Sequence, residues 1–135
     1  MIVYLIDSSA WIEYLRDTGS KAAIEVERLI DTDADIATTE PIVMELLAGI
    51  TNAKTLTLVD ALTTGLPLIR VDPYTDYHHA AALYRTARAQ GKTIRAIIDC
   101  LIAAVALRTE ATLVHRDSDF DVIAGFAPMD VASML

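Results

Sequence analysis

Carboxylates stand at four places in this sequence where the neighbours are apolar or where a predicted strand ends. They are Asp7, Glu45, Asp99 and the pair Asp117 and Asp119. Carboxylates that gather closely raise one another's pKa, and such a cluster is stable when a cation neutralises it. Oxygen ligands select hard ions such as Mg²⁺ or Mn²⁺, and the His and Cys sets that zinc requires are missing. The pattern predicts a divalent-cation site, which can activate water and stabilise charge on a phosphodiester.

Asp7 ends the apolar run from Ile2 to Ile6. A run without alternation is typical of a strand buried on both faces in a parallel sheet. Ligands bind at the carboxyl edge of such a sheet, so Asp7 has a functional interpretation. Alternatively, Asp7, Ser8 or Ser9 caps a helix that begins near Ala10. The residues alone leave both interpretations open.

Asp99 lies in the most apolar helix of the chain, predicted from Ala96 to Leu107. A helix that is apolar on all sides is buried, and burying a carboxylate is costly unless a cation or hydrogen-bond donors receive it. Glu45 is the one charge in the body of a helix predicted from Pro41 to Ala48, and taken alone it is expected to be exposed. Asp99 is therefore the strongest single indication of a functional site.

A strand predicted from Thr112 to His115 runs into Asp117 and Asp119, as the first strand runs into Asp7. Either acid of this pair can be the ligand. For His115 we favour a hydrogen-bonded role at the strand end over a role as general base.

Strands and helices alternate along the whole chain. Further strands are predicted at Asp35–Thr38, Leu68–Val71 and Met129–Ala132, and a long helix from about Thr75 to Gln90. This alternation predicts a parallel sheet between helical layers, joined by right-handed crossovers. A length of 135 residues fits a single domain, residues 1–135.

The charge of the chain is distributed unevenly. The net charge is −8, but Ala81–Arg116 carries 6 basic and 2 acidic residues, whereas Met1–Ala80 carries 5 and 13. A solvated helix face commonly explains such a basic run, and phosphate binding is the alternative. No stretch approaches the roughly 20 apolar residues that span a bilayer, and the amino terminus lacks the basic region of a signal peptide. We therefore expect a cytoplasmic protein without membrane contact.

Four segments together resemble the PIN-domain family, and specifically the VapC toxins of bacterial type II toxin–antitoxin pairs. The resemblance extends over essentially the whole chain, because the order and spacing of the segments match as well as their residues. The segments are IDSSAWIEYL at Ile6 to Leu15, EPIVMELLAG at Glu40 to Gly49, IRAIIDCLIAA at Ile94 to Ala104 and VHRDSDFDVIA at Val114 to Ala124.

The resemblance implies a three-layer α/β/α PIN fold with a central, mostly parallel sheet of about five strands. It also implies a Mg²⁺-dependent endoribonuclease, with Mn²⁺ as a possible substitute, that forms a homodimer and is inhibited by a VapB-type antitoxin. Asp7, Glu45, Asp99 and Asp117 match the acidic quartet of the family, and Ser9 matches its small hydroxyl residue. The resemblance favours Asp117 as the direct ligand, with Asp119 as a second or water-mediated ligand.

Further residues are expected to serve this function. Arg95 and Arg116 lie close to the acids in sequence and are candidates for binding substrate phosphates. The antitoxin is expected on apolar residues of the early helices, although core packing explains most of them equally well. These residues are Trp11, Ile12, Tyr14, Ile42, Leu46, Ile50 and Leu56.

Two other functions fit the same fold class. A phospho-acceptor protein would phosphorylate Asp7, but such proteins have further acids directly before that position and a late lysine, whereas Leu5 and Ile6 precede Asp7 and no lysine follows Lys92. A non-catalytic interaction module would use the acids to bind a basic partner. Cleavage of RNA that a chelator stops is expected from the nuclease alone.

Overall fold

Four short strands and seven helices make up the computed structural model, which describes residues 1–135. The strands are β1 (Val3–Ile6), β2 (Asp35–Ala37), β3 (Thr112–His115) and β4 (Val131–Ser133). The helices are α1 (Ser8–Leu15), α2 (Lys21–Asp31), α3 (Glu40–Ala48), α4 (Ala53–Thr64), α5 (Asp76–Ala89), α6 (Ile97–Thr109) and α7 (Ser118–Ala124).

All strand pairs are parallel, and the sheet has the order β2-β1-β3-β4. Leu5 of β1 is paired with Ala37 of β2 on one side and with Leu113 of β3 on the other. The backbone N–H of Asp7 extends the ladder to the carbonyl of Val114 at 2.9 Å. Because parallel strands end at the same edge, the loops that follow β1 and β3 lie side by side. The predicted parallel α/β arrangement is confirmed.

Helices cover both faces of the sheet. The consecutive residues Leu5 and Ile6 point to opposite faces of the sheet, and both are fully buried. Trp11, Ile42 and Leu46 also belong to the core, so the expectation that they contact an antitoxin is wrong. No helix of the molecule is both long enough and apolar enough to cross a membrane.

The sheet has four strands rather than about five, because the strand predicted at Leu68–Val71 is reduced to one isolated bridge. That bridge joins Leu68 to Thr38. The N–H of Val71 then donates to the side chain of Glu40 at 2.8 Å instead of continuing a ladder. The chain therefore leaves the sheet edge after a single pairing.

Helices α5 and α6 form an antiparallel pair that an ion pair fastens at the end distant from Asp99. The guanidinium of Arg108 near the end of α6 lies 3.0 Å from Asp76 at the start of α5. Asp76 is buried and also accepts the N–H of Asp72 at 2.8 Å. Arg108 donates in addition to the carbonyl of Arg70 at 2.7 Å. The pair thereby fixes α6, the helix that carries Asp99, against α5.

Candidate metal centre

Asp7 follows β1 directly and caps α1 with one of its two carboxylate oxygens. Its Oδ2 accepts the N–H of Ser9 at 3.0 Å and the hydroxyl of Ser9 at 2.6 Å. Its Oδ1 is buried without a hydrogen-bond partner. Burial raises the pKa of Asp7 against the two bonds from Ser9, and the charge of Asp117 adds to the increase. The predicted helix cap is therefore confirmed, and one oxygen remains available to a ligand.

Two serines connect Asp7 to the neighbouring elements. The hydroxyl of Ser9 also accepts the N–H of Arg116 at 2.9 Å, which ties the start of α1 to the loop after β3. The hydroxyl of Ser8 donates to Glu45 of α3 at 3.1 Å. Burial, followed by the charge of Asp7, raises the pKa of Glu45. Glu45 is half-buried and faces the space beside Asp7, which we call the cleft, whereas an isolated glutamate on a short helix is usually exposed.

Asp99 lies in the first turn of α6 and is buried, with its Oδ2 unpartnered. Burial raises the pKa of Asp99 to about 9, helped by a hydrogen bond with Asp119 and by the charges of Asp117 and Asp7. Asp99 therefore holds a proton at neutral pH when no cation is bound. A cation that replaces this proton would meet an oxygen that no other group uses.

Asp117 and Asp119 come from the loop after β3 and from α7, and both approach Asp99. Ligand atoms of Asp99, Asp117 and Asp119 lie within 4.8 Å of one another. Burial acts to raise the pKa of Asp119, but the bonds with Asp99 and from the backbone N–H groups of Arg95 and Ala96 outweigh it and lower the pKa. Asp119 is therefore ionised while Asp99 is protonated.

Arg95 neutralises part of this cluster from the loop before α6. Its guanidinium donates to Asp117 at 2.8 Å and to Asp119 at 3.4 Å. The side chain of Arg95 is 67% exposed, whereas that of Asp119 is 3% exposed. The arginine thus covers the cluster from the solvent side. In that position its guanidinium could release Asp117 or Asp119 and bind a phosphate instead.

His115 holds the backbone of the loop that carries Asp117. Its Nδ1 accepts the N–H of Asp117 at 3.1 Å, which assigns the ring proton to Nε2, and Nε2 lies 3.1 Å from Asp121. Asp121 in turn accepts the hydroxyl of Ser133 in β4 at 2.8 Å. His115 is fully buried, so both ring nitrogens are engaged and neither faces the cleft as a general base.

Arg116 is tied to α1 rather than free in the cleft. Its guanidinium forms an ion pair with Glu13. A phosphate contact by Arg116 would require the guanidinium to leave Glu13 or to be shared with it. No pattern in the sequence marks Glu13, Asp121 or Ser133 as neighbours of the site, because the packing of three separate elements brings them there.

The donor set fits a hard divalent cation. The structure groups ligand atoms of Asp99, Asp117 and Asp119. Buried oxygens without a partner lie on Asp99 and on Asp7, and Asp7 is outside that group. Unpartnered buried carboxylate oxygens are costly, and binding a cation would remove that cost. All the available ligand atoms are oxygens, which suits Mg²⁺-like and Mn²⁺-like ions better than zinc.

Comparisons with known proteins agree with this geometry. Residues 4–126 match the PIN domain family. The chain is 52% identical over 130 residues to VapC ribonuclease Mb1587 of Mycobacterium bovis and, to the same extent, to Ribonuclease VapC11 of Mycobacterium tuberculosis. Each alignment covers 96% of this chain and 97% of the relative.

A solved structure supports the fold. The DNA-bound VapBC of Salmonella typhimurium superposes with a TM-score of 0.77 at 16% identity, and the match covers 100% of both chains. The family match covers most of the chain, and the relatives share about half of its residues, so the similarity goes beyond a common fold. The chain therefore belongs to the PIN-domain family, and the relatives that share about half of its residues are VapC ribonucleases.

Proposed function

We propose that this chain is a metal-dependent endoribonuclease and the toxic component of a type II toxin–antitoxin pair. The observation that carries the proposal is the grouping of Asp99, Asp117 and Asp119, with buried, unpartnered oxygens on Asp99 and on the strand-end Asp7. Such a cluster suits hydrolysis of a phosphodiester. The names of the half-identical relatives, VapC ribonucleases, support RNA as the substrate.

The proposed cofactor is Mg²⁺, with Mn²⁺ as a substitute. Asp7, Asp99 and Asp117 would hold it directly, and Asp119 and Glu45 directly or through water. When bound, the ion lowers the pKa of water and neutralises charge at the phosphorus. The four acids matching the family quartet, Asp7, Glu45, Asp99 and Asp117, are the proposed catalytic residues.

The remaining residues orient these acids and the substrate. Ser9 fixes Asp7 through Oδ2, so that Oδ1 keeps its direction. Glu45 receives a hydrogen bond on one oxygen from Ser8, and its other oxygen can accept a proton from the attacking water. Arg95 and Arg116 bind phosphates of the RNA after releasing their present acids. Attack by water, rather than by the ribose 2′-hydroxyl, leaves a 5′-phosphate and a 3′-hydroxyl.

The proposed inhibitor is a VapB-type antitoxin. Neighbouring solved structures such as the Salmonella typhimurium VapBC support this type of partner. A groove of 310 Å³ between α1, α3 and α4 includes Ile12, Leu15 and Ile50 and borders Glu45. An apolar segment in this groove followed by a basic one in the acidic cleft would exclude metal and RNA together. A homodimer, a single-domain organisation of residues 1–135 and a cytoplasmic location are part of the same proposal.

Analysis of the cleavage products tests the proposed reaction. Purified protein is incubated with total RNA and Mg²⁺, with or without excess chelator, and the new ends are identified by their reactivity towards ligase and phosphatase. We expect fragments with 5′-phosphates and no fragments in chelator. Fragments with 2′,3′-cyclic phosphates, or cleavage that persists in chelator, would contradict the mechanism. The phospho-acceptor alternative is not favoured, because no observation beyond the strand-end position of Asp7 supports it.

A further inference from the structure

The exposed surface around α5 is basic in a protein that is otherwise strongly acidic. Between Tyr77 and Ile98 the sequence has 4 basic residues and no acidic one, whereas the rest of the chain has 7 basic and 19 acidic residues. Arg85, Arg88 and Lys92 are exposed, and no acidic side chain lies within ion-pair distance of them. We call these three residues the basic face. None of the three charges is neutralised by an ion pair within the chain.

The basic face continues outward from the metal centre. Helix α5 is antiparallel to α6, because the Asp76–Arg108 pair joins the start of one helix to the end of the other. The end of α5 that carries Arg88 therefore lies beside the start of α6 that carries Asp99. Successive residues rise about 1.5 Å along a helix, so Arg85 lies about one turn beyond Arg88, away from the cleft.

Arg95 connects Lys92 of the basic face to the cleft along α7. Arg95 reaches Asp117 at the start of α7. The ammonium of Lys92 lies 3.7 Å from the position that a Cβ on Gly125 would take at the end of α7. The cations thus follow one another from the rim of the acidic cluster to the outer surface of α5.

We propose that the basic face binds the phosphates of an unpaired RNA strand on one side of the cleaved bond, with Arg95 as the contact nearest the cut. The inference rests on the proposed ribonuclease function. The acidic cleft repels RNA, so a substrate needs phosphate contacts outside it. The guanidinium of Arg88 lies 5.9 Å from the ring centre of Tyr84, and this aromatic and cationic pair suits a base that stacks beside its phosphate. A second copy of the chain would fit poorly on the basic face itself, since a two-fold axis there would bring like charges together.

Neutralising the basic face tests this inference. The variant R85Q/R88Q/K92Q is compared with K21Q/K54Q/R70Q, which removes the same charge from exposed positions elsewhere. Cleavage is measured in Mg²⁺ on a long unpaired RNA and on a minimal substrate of two or three nucleotides cut at the same bond. For the long RNA we expect the first variant to raise KM at least about tenfold with kcat within twofold, and the control to match the wild type. Both should cleave the minimal substrate normally.

The salt dependence of binding supplies a second readout. Each phosphate contact with a single strand contributes about −0.7 to the slope of log K against log salt, so the basic-face variant should lose about 2 from the slope. Equal KM values and slopes for the two triple variants would overturn the inference while leaving the ribonuclease function intact. Equal losses on both substrates, or loss of an acidic protein partner without loss of RNA binding, would also overturn it. Absence of cleavage by the wild type would instead contradict the proposed function.

Discussion

Asp7 and Asp99 each keep one buried oxygen without a partner, but they reach this state in different ways. Asp7 uses its second oxygen to cap α1, so a structural and a ligand role coexist in one side chain. Asp99 is hydrogen-bonded to Asp119 and has a pKa raised to about 9. Without a cation, ionising Asp99 opposes folding.

Asp99→Asn should therefore stabilise the metal-free protein while abolishing RNA cleavage. The pKa of Asp99 in the folded state is raised above its ordinary value of 3.8. The contribution of Asp99 to the stability of the folded protein is therefore greatest below about pH 4, where the group is protonated in both states, and is lost as pH rises towards 9. In chelator at pH 8, we expect the variant to exceed the wild type in free energy of unfolding by about 1–3 kcal/mol. Urea denaturation at pH 6 and pH 8 measures this difference.

The control for Asp99→Asn is Asp60→Asn, which changes an exposed acid. Its stability and the pH dependence of its stability should match those of the wild type. An Asp99→Asn variant that is less stable than the wild type at pH 8 would show that the buried carboxylate is not a destabilising charge.

His115 should act as a positioning residue through its Nδ1. In His115→Asn, the side-chain oxygen can replace Nδ1 as acceptor for the N–H of Asp117, whereas His115→Leu has no acceptor, and both variants lose the contact with Asp121. We expect the Leu variant to bind Mn²⁺ and to cleave RNA about 10- to 100-fold less well than the Asn variant. Calorimetric titration with Mn²⁺ gives a readout besides activity. Equal affinities in the two variants would remove this role.

Sequence patterns identified the acids better than they identified the contacts between them. Asp99 was conspicuous because a carboxylate interrupts an apolar helix, and that contrast is local. The chain of hydrogen bonds from Ser133 through Asp121 to His115 joins β4, α7 and β3, and no pattern along the sequence encodes it. The partner of Arg116, Glu13, was missed for the same reason.

At the scale of elements, the parallel register of β1 and β3 brings the first acid beside the last. The buried run at β1 predicted this sheet correctly because it reflects burial on both faces. The strand predicted at Leu68–Val71 failed because apolar residues alone do not supply a ladder, and Glu40 takes the N–H of Val71. Helix α6 then depends on α5 to hold Asp99 in position.

Arg108→Met should weaken this pair of helices by leaving Asp76 buried and unpaired. We expect a loss of about 2–4 kcal/mol in the free energy of unfolding, because breaking one side of a buried pair leaves an uncompensated charge. Arg28→Met, which breaks an exposed pair with Glu25, should cost less than about 1 kcal/mol. Urea denaturation of both variants measures the contrast. Similar losses would mean that the Asp76–Arg108 ion pair does not stabilise the packing of α5 against α6.

At the scale of the whole molecule, acidic and basic charge occupy different places. The net charge of −8 includes the cluster that a cation would neutralise, while the exposed cations around α5 remain unpaired. The uneven distribution was visible in the sequence, but its continuity with the cleft depends on the antiparallel placement of α5 and α6. A cation at the centre and an RNA along α5 would each meet charge of the opposite sign.

The most direct test of the proposed metal centre is RNA cleavage as a function of Mg²⁺ concentration for the wild type, Asp7→Asn, Asp99→Asn and the control Asp60→Asn. We expect cleavage by the wild type and by Asp60→Asn to saturate with Mg²⁺ and to stop in chelator. For the two cleft variants we expect a loss of at least about 100-fold, since each removes a charged oxygen ligand. Full activity of either cleft variant, or wild-type cleavage without a divalent ion, would contradict the proposed metal centre.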